Sequence, residues 1–152
     1  MTTPGPLSRA EIQRRVADAI ANTDTSVSWQ ESPFHIDLQG TDPQMTVHLT
    51  FAVGVLDTAP HQLDRQRPSV GSVTRTGIVV RYTHHCRADS QVEDYRAALV
   101  AGERMIAAVL ALDGDPSMSV RLETLRRPVL VGDGTFLTCD VEFSVLHRLP
   151  LV

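Results

Sequence analysis

The chain has 152 residues, 42% of them hydrophobic, and a formal net charge of −4. That length and apolar content suffice for one domain with one core, without disulfides or metals. Each half of the sequence, divided at Thr76, carries −2 with no basic arm, which argues against a protein that grips nucleic acid through its phosphates.

Every cation is an arginine, and lysine is absent. A GC-rich coding genome produces that bias; arginine's planar fork also suits interfaces. The two cysteines, Cys86 and Cys139, sit far apart in apolar or strand-like surroundings. Free buried thiols are the default reading, with a bridge left open. The N-terminus is polar and turn-forming, unlike a signal peptide. No apolar run approaches the length of a membrane span.

Residues 1–7 read as a flexible arm, and 8–152 as a single α+β domain. Ser8 and Glu11 have capping-box spacing, and Ile12, Val16, Ala19 and Ile20 recur at helical spacing. A first helix is expected from about Arg9 to Ala21, with Asn22 as its stop. Val27 to Trp29 and Phe34 to Leu38 are candidate short strands, closed by the turn residues Gly40 to Pro43. Met45, Val47, Leu49, Phe51, Val53 and Val55 then alternate with small or polar residues. This predicts a strand about 36–40 Å long, at roughly 3.3 Å per residue.

The segment from Asp57 to Gly71 is polar and without period, and is expected to be a long loop. A second long strand is predicted from about Ser72 to His84. It buries Ile78, Val80 and Tyr82 and turns Arg75, Arg81 and Thr83 the other way. The two strands make a long β-hairpin with Arg65 and Arg67 at its tip.

Ser90 and Glu93 repeat the capping-box spacing and are expected to open a second helix. Its apolar stripe is Val92, Tyr95, Leu99, Met105 or Ile106, Val109 and Leu112. The run Asp113-Gly114-Asp115-Pro116 ends it. Strands follow at Met118 to Glu123, at Val129 to Val131, and from Leu137 to Val145. In the last of these Asp140 and Glu142 lie on the polar face. The expected class is therefore α+β: a mixed, mainly antiparallel sheet with a long hairpin, flanked by two helices.

No motif for catalysis stands out. His84-His85-Cys86 places three ligand types side by side, but neighbours on a strand point to opposite faces. His35, His48 and His61 are isolated. The acids fall in helix stops, turns and a helix start, where each has a local reason to be. Neither a phosphate-cradling glycine loop nor a nucleophile elbow occurs. We expect no enzyme, metal or cofactor. The candidate interface residues are Arg65 and Arg67 at the hairpin tip, and Arg75 and Arg81, which face Asp140 or Glu142 within or between subunits.

Two stretches carry a resemblance. Arg75-Thr76-Gly77-Ile78-Val79-Val80-Arg81-Tyr82, then a polar break and Ser90-Gln91-Val92-Glu93-Asp94-Tyr95-Arg96-Ala97-Ala98-Leu99, resemble the tail terminator or tail completion proteins of long-tailed bacteriophages. The order of helix, hairpin, helix and closing strands is also similar, from about Ser8 to Leu149. The resemblance implies a homo-oligomer, a hexameric ring on the head-proximal end of the tail tube. Its partners would be the tail tube protein and the head-tail connector or neck protein. DNA would pass through the channel without sequence-specific binding, no membrane would be involved, and the protein would be made in the host cytoplasm and end in the virion. The alternatives are a head-side neck or adaptor ring protein of the same particle, and a small ligand-binding domain or enzyme with an unrecognised pocket.

Overall fold

The computed structural model describes residues 6–23, 29–31, 50–60, 73–131 and 136–150. The first helix, α1 (Arg9–Ala21), has the predicted bounds. The Ser8 hydroxyl accepts the Glu11 N–H at 3.0 Å, satisfying one of the donors that a helix start leaves open. Ile12, Val16, Ala17 and Ile20 form its buried face. Pro6 and Leu7 belong to the expected arm, yet Leu7 is buried in the core and its N–H donates to the Arg148 carbonyl at 2.7 Å. Its apolar side chain and paired backbone make it part of the fold.

Six strands form one sheet among the described residues: β1 (Gln30–Glu31), β2 (Thr50–Pro60), β3 (Val73–His85), β4 (Ser119–Leu125), β5 (Val129–Val131) and β6 (Phe136–Arg148). The order is β1-β2-β3-β6-β4, with β5 also paired to β6. Only β1 runs parallel to its neighbour. The spine is β3 against β6, paired without a break from Val73↔Arg148 to His85↔Phe136. This is the predicted α+β class, with its mainly antiparallel sheet, long hairpin and two helices.

The strand expected from Met45 is described only from Thr50, so Met45 to Leu49 lie outside the described residues, as do Val27, the Phe34 to Leu38 run and the residues 61–72. At its other end the expectation needs correction: Asp57 to Pro60 continue β2. A register shift between Val55 and Thr58 carries the chain past Asp57, and the Thr58 and Thr76 hydroxyls then meet at 2.8 Å. Such a bulge changes which residues face the core, so the alternation that marks a strand disappears where the strand continues.

The second helix, α2 (Gln91–Leu110), follows a single 3-10 turn at Ala88–Ser90. Ser90 does not cap it as expected. Its hydroxyl instead donates to the Asp94 carboxylate at 3.0 Å, beside the Arg87 backbone N–H at 2.8 Å and the Arg87 guanidinium at 3.2 Å. Those donors, the guanidinium first, hold the Asp94 carboxyl well below the usual carboxylate range. The buried face of α2 is Asp94, Ala98, Gly102, Met105, Ile106 and Val109, so the predicted stripe is correct only in its second half.

Both helices cover one face of the sheet. Ile12, Val16 and Ile20 of α1 and Met105, Ile106 and Val109 of α2 meet Ile78, Val80, Val141, Phe143 and Val145 in a continuous core. Trp29 stands edge-on to Phe51 and Tyr82, with ring centroids 6.5 and 5.6 Å apart. Gly102 is where α2 passes over the Tyr82 hydroxyl: a Cβ there would lie 2.1 Å from that oxygen. The missing side chain thus allows the close approach of helix and strand. No helix among the described residues is long and apolar enough to cross a membrane.

Candidate functional site

The other face of the sheet has neither described helix on it and carries charge pairs among buried small and polar residues such as Val79, Thr83 and Ser144. Arg81 and Asp140 are direct cross-strand partners on β3 and β6. The guanidinium donates twice, Nε to Oδ1 at 2.7 Å and Nη2 to Oδ2 at 3.0 Å. The two side chains are only 14% and 21% exposed. A two-point pair of this kind fixes both groups in direction as well as distance.

Arg75 reaches Glu123 on β4 at 2.8 Å, and the Ser144 hydroxyl donates to the same carboxylate oxygen at 2.6 Å. The Ser144 hydrogen bond, then the arginines nearby, hold the Glu123 carboxyl below its ordinary range. Glu142 faces Arg126 at 3.5 Å. On the same face Thr50 and Thr83 share a hydrogen bond at 2.6 Å. Thr138, the direct cross-strand partner of Thr83 on β6, has its hydroxyl buried with no hydrogen-bond partner among the described residues.

The residues expected to meet there do so only in part. Arg81 pairs with Asp140 inside one chain. Arg75 pairs with neither Asp140 nor Glu142, because β4 brings Glu123 closer. Glu142 is taken by Arg126. Glu123 escaped the sequence reading because it sits at a register shift between Leu122 and Thr124. The signal was present: the apolar spacing on β4 lengthens from two (Val120, Leu122) to three (Leu122, Leu125), as an inserted residue requires. Arg65 and Arg67 lie outside the described residues, as do His35, His48 and His61. His84 and His85 end β3, and among the described residues no three of His, Cys, Asp and Glu are grouped to hold a metal.

A second surface lies where α2 overhangs the end of the sheet. Val92, Tyr95, Leu99 and Val100 of α2 are exposed, Val92 at 64%. Leu125, Val129 and Leu130 along the broken β4–β5 edge are also exposed. The break is Arg126-Arg127-Pro128, anchored where the Arg126 N–H donates to the Asp140 carbonyl at 3.0 Å and the Cys139 thiol donates to the Arg126 carbonyl at 3.1 Å. Between helix and edge runs an open groove of about 520 Å³. Its floor is Cys86 and Leu137, which with Ala98 form a small cluster apart from the main core. Tyr95, Val129, Leu130 and Arg127 form its walls. Both cysteines are free and buried, and burial pushes the Cys139 thiol up from its ordinary pKa.

The groove is large enough for a small ligand, but among the described residues it is lined by no carboxylate and no histidine. Tyr82, His84 and His85 do not line it. No protein-family model matches the chain, and no curated protein matches it.

Proposed function

We propose that this chain is a structural ring subunit of a long-tailed phage or phage-derived particle, a tail terminator that caps the head-proximal end of the tail tube. In this reading it ends tube polymerisation and joins the tail to the head-side connector. The observation that supports it is the sheet face on which neither described helix packs. Among the described residues its strands carry no helix there, and Arg81, Arg75 and Arg126 on it are each paired with a carboxylate. A face of that kind suits the wall of a channel that DNA crosses without being gripped, because phosphate binding needs cations that are not already neutralised. Helices on the opposite face then form the outside of the ring, and lateral contacts cover the sheet edges that a lone subunit leaves open.

The test is deletion of the gene in the producing phage. Tails of uncontrolled length, or tails that fail to join heads, are the expected outcome. Normal virions in normal numbers would end the reading. Gene position separates the neck-adaptor alternative, since a terminator gene lies beside the tube gene.

A further inference from the structure

We infer that the groove between α2 and β5 binds a small amphipathic carboxylate, with the apolar body of the ligand in the groove and its head on Arg127. The floor and most of the wall suit the apolar part: Leu137 and Cys86 below, Val92 and Tyr95 on the helix side, Val129 and Leu130 on the strand side. The four wall residues are exposed, so an apolar body laid among them takes their surface out of water together with its own. A groove of about 520 Å³ is within the range that small-molecule sites occupy.

The head group follows from charge. Arg127 is the one charged residue in the lining among those described. Arg126, beside it in sequence, faces Glu142 at 3.5 Å, and Arg87, next to the floor residue Cys86, holds Asp94 at 3.2 Å. Arg127 is exposed and has no such partner among the described residues. The acids in the first turn of α2, Glu93 and Asp94, do not line the groove, and Asp94 also takes the Ser90 hydroxyl at 3.0 Å. One open guanidinium fork matches one carboxylate, two N–H donors to two oxygens. A cationic head would set like charge against Arg127, and a neutral ligand would leave it unmatched.

The assignment is a binding site and not a reaction centre: the lining supplies apolar surface and a cation, and its Cys86 thiol is only 2% exposed. The site goes beyond the ring reading and does not depend on it. Binding is tested on the isolated chain, whereas gene deletion tests the terminator, so either can fail alone.

The experiment uses the full chain with isotope-labelled valine and leucine methyl groups, followed by NMR. It is titrated with octanoate, octanol and octyltrimethylammonium, which share one tail and differ in the head, each kept below its aggregation threshold. Octanoate at millimolar concentration should shift the methyls of Val92, Val129 and Leu130 first. It should bind about fivefold more tightly than octanol, the most that an exposed guanidinium supplies. Octyltrimethylammonium should bind more weakly than either. Arg127→Gln should bring octanoate down to the level of octanol, and Arg127→Glu should reverse the order of the two ions. Arg127 is exposed and outside both core clusters, and circular dichroism checks that the fold is kept. The comparison of head groups on the unaltered chain is decisive without the variants. No shift at millimolar octanoate, shifts confined to methyls away from the groove, or equal binding of the three probes would each overturn the inference. A preference for octanoate that survives Arg127→Glu in a folded chain would overturn it too.

Discussion

The two faces of the sheet reach burial by opposite chemistry. On the covered face, Ile78, Val80, Val141, Phe143 and Val145 meet helix side chains and lose their water to apolar contact. On the other, Arg81 and Asp140 are nearly as enclosed by the strands around them, but they hold each other in place by direction and charge. The covered face gains its stability from area and packing. The uncovered face gains little net energy from its pairs, since removing charge from water offsets most of the attraction. It gains groups that are fixed in direction as well as distance.

That contrast can be broken on the covered side first. Phe143→Ala removes a ring that is 2% exposed at the centre of the core. The loss should be about 4 kcal/mol, read as the shift in a urea or thermal unfolding midpoint. Gly102→Ala should cost less, about 2 kcal/mol, because the helical gain of alanine offsets part of the strain from crowding the Tyr82 hydroxyl. Pairing it with Tyr82→Phe should recover some of that loss. Strict additivity in the double variant would show that the hydroxyl is not what the glycine accommodates.

On the uncovered side, Arg81→Ala strands the Asp140 carboxylate beneath its neighbours and should destabilise by about 2 kcal/mol. Replacing Arg81 and Asp140 together by Leu and Val should cost much less than the single change. If the single variant is neutral, the pair is no more than a surface contact and the faces differ less than their geometry suggests.

Between the faces stands His147, a polar residue within the covered layer, 2% exposed. Nδ1 lies 2.8 Å from the Leu7 carbonyl, which only accepts, so this nitrogen carries the hydrogen. Nε2 then accepts from the Thr76 hydroxyl at 2.6 Å. Burial lowers the His147 pKa below its ordinary 6.5. The unfolded chain therefore takes up the proton first. The stabilising contribution is complete above pH about 6.5 and is lost as pH falls from there toward the folded-state value. Unfolding midpoints measured from pH 7.5 down to 5 should fall, and His147→Gln should flatten that slope. Asp94 and Glu123 have lowered pKa values, so their contributions are lost only in the more acidic range.

Much of the fold was legible because it obeys simple periods. The bounds of α1 follow from Ser8, its buried stripe and Asn22, and β3 and β6 show their alternation plainly. What the period could not show were the places where the chain departs from it. The shifts at Val55/Thr58 and Leu122/Thr124 hid the end of β2 and the role of Glu123. On α2 the stripe Val92, Tyr95, Leu99 looked like core, yet those side chains face outward while Asp94, Ala98 and Gly102 face in. Helical spacing identifies a face but not what lies against it. The pairing of Arg81 with Asp140 was one of the options the strand faces offered; the groove depended on where two distant segments end, which no local pattern records.

The smallest expected effect makes the sharpest comparison within the uncovered face. Arg126→Ala removes the partner of Glu142, at 3.5 Å and with the arginine side chain 60% exposed. Exposed pairs contribute about 0.5 kcal/mol or less and weaken with salt. Its cost should be near that limit and vanish at about 1 M salt, where screening acts over only about 3 Å. The cost of Arg81→Ala should persist there, since the Arg81–Asp140 pair is shielded by neighbouring strands. Equal salt sensitivity in the two variants would mean that Arg81 and Asp140 are as open to solvent as Arg126, and that the uncovered face is a wet surface rather than a fixed one.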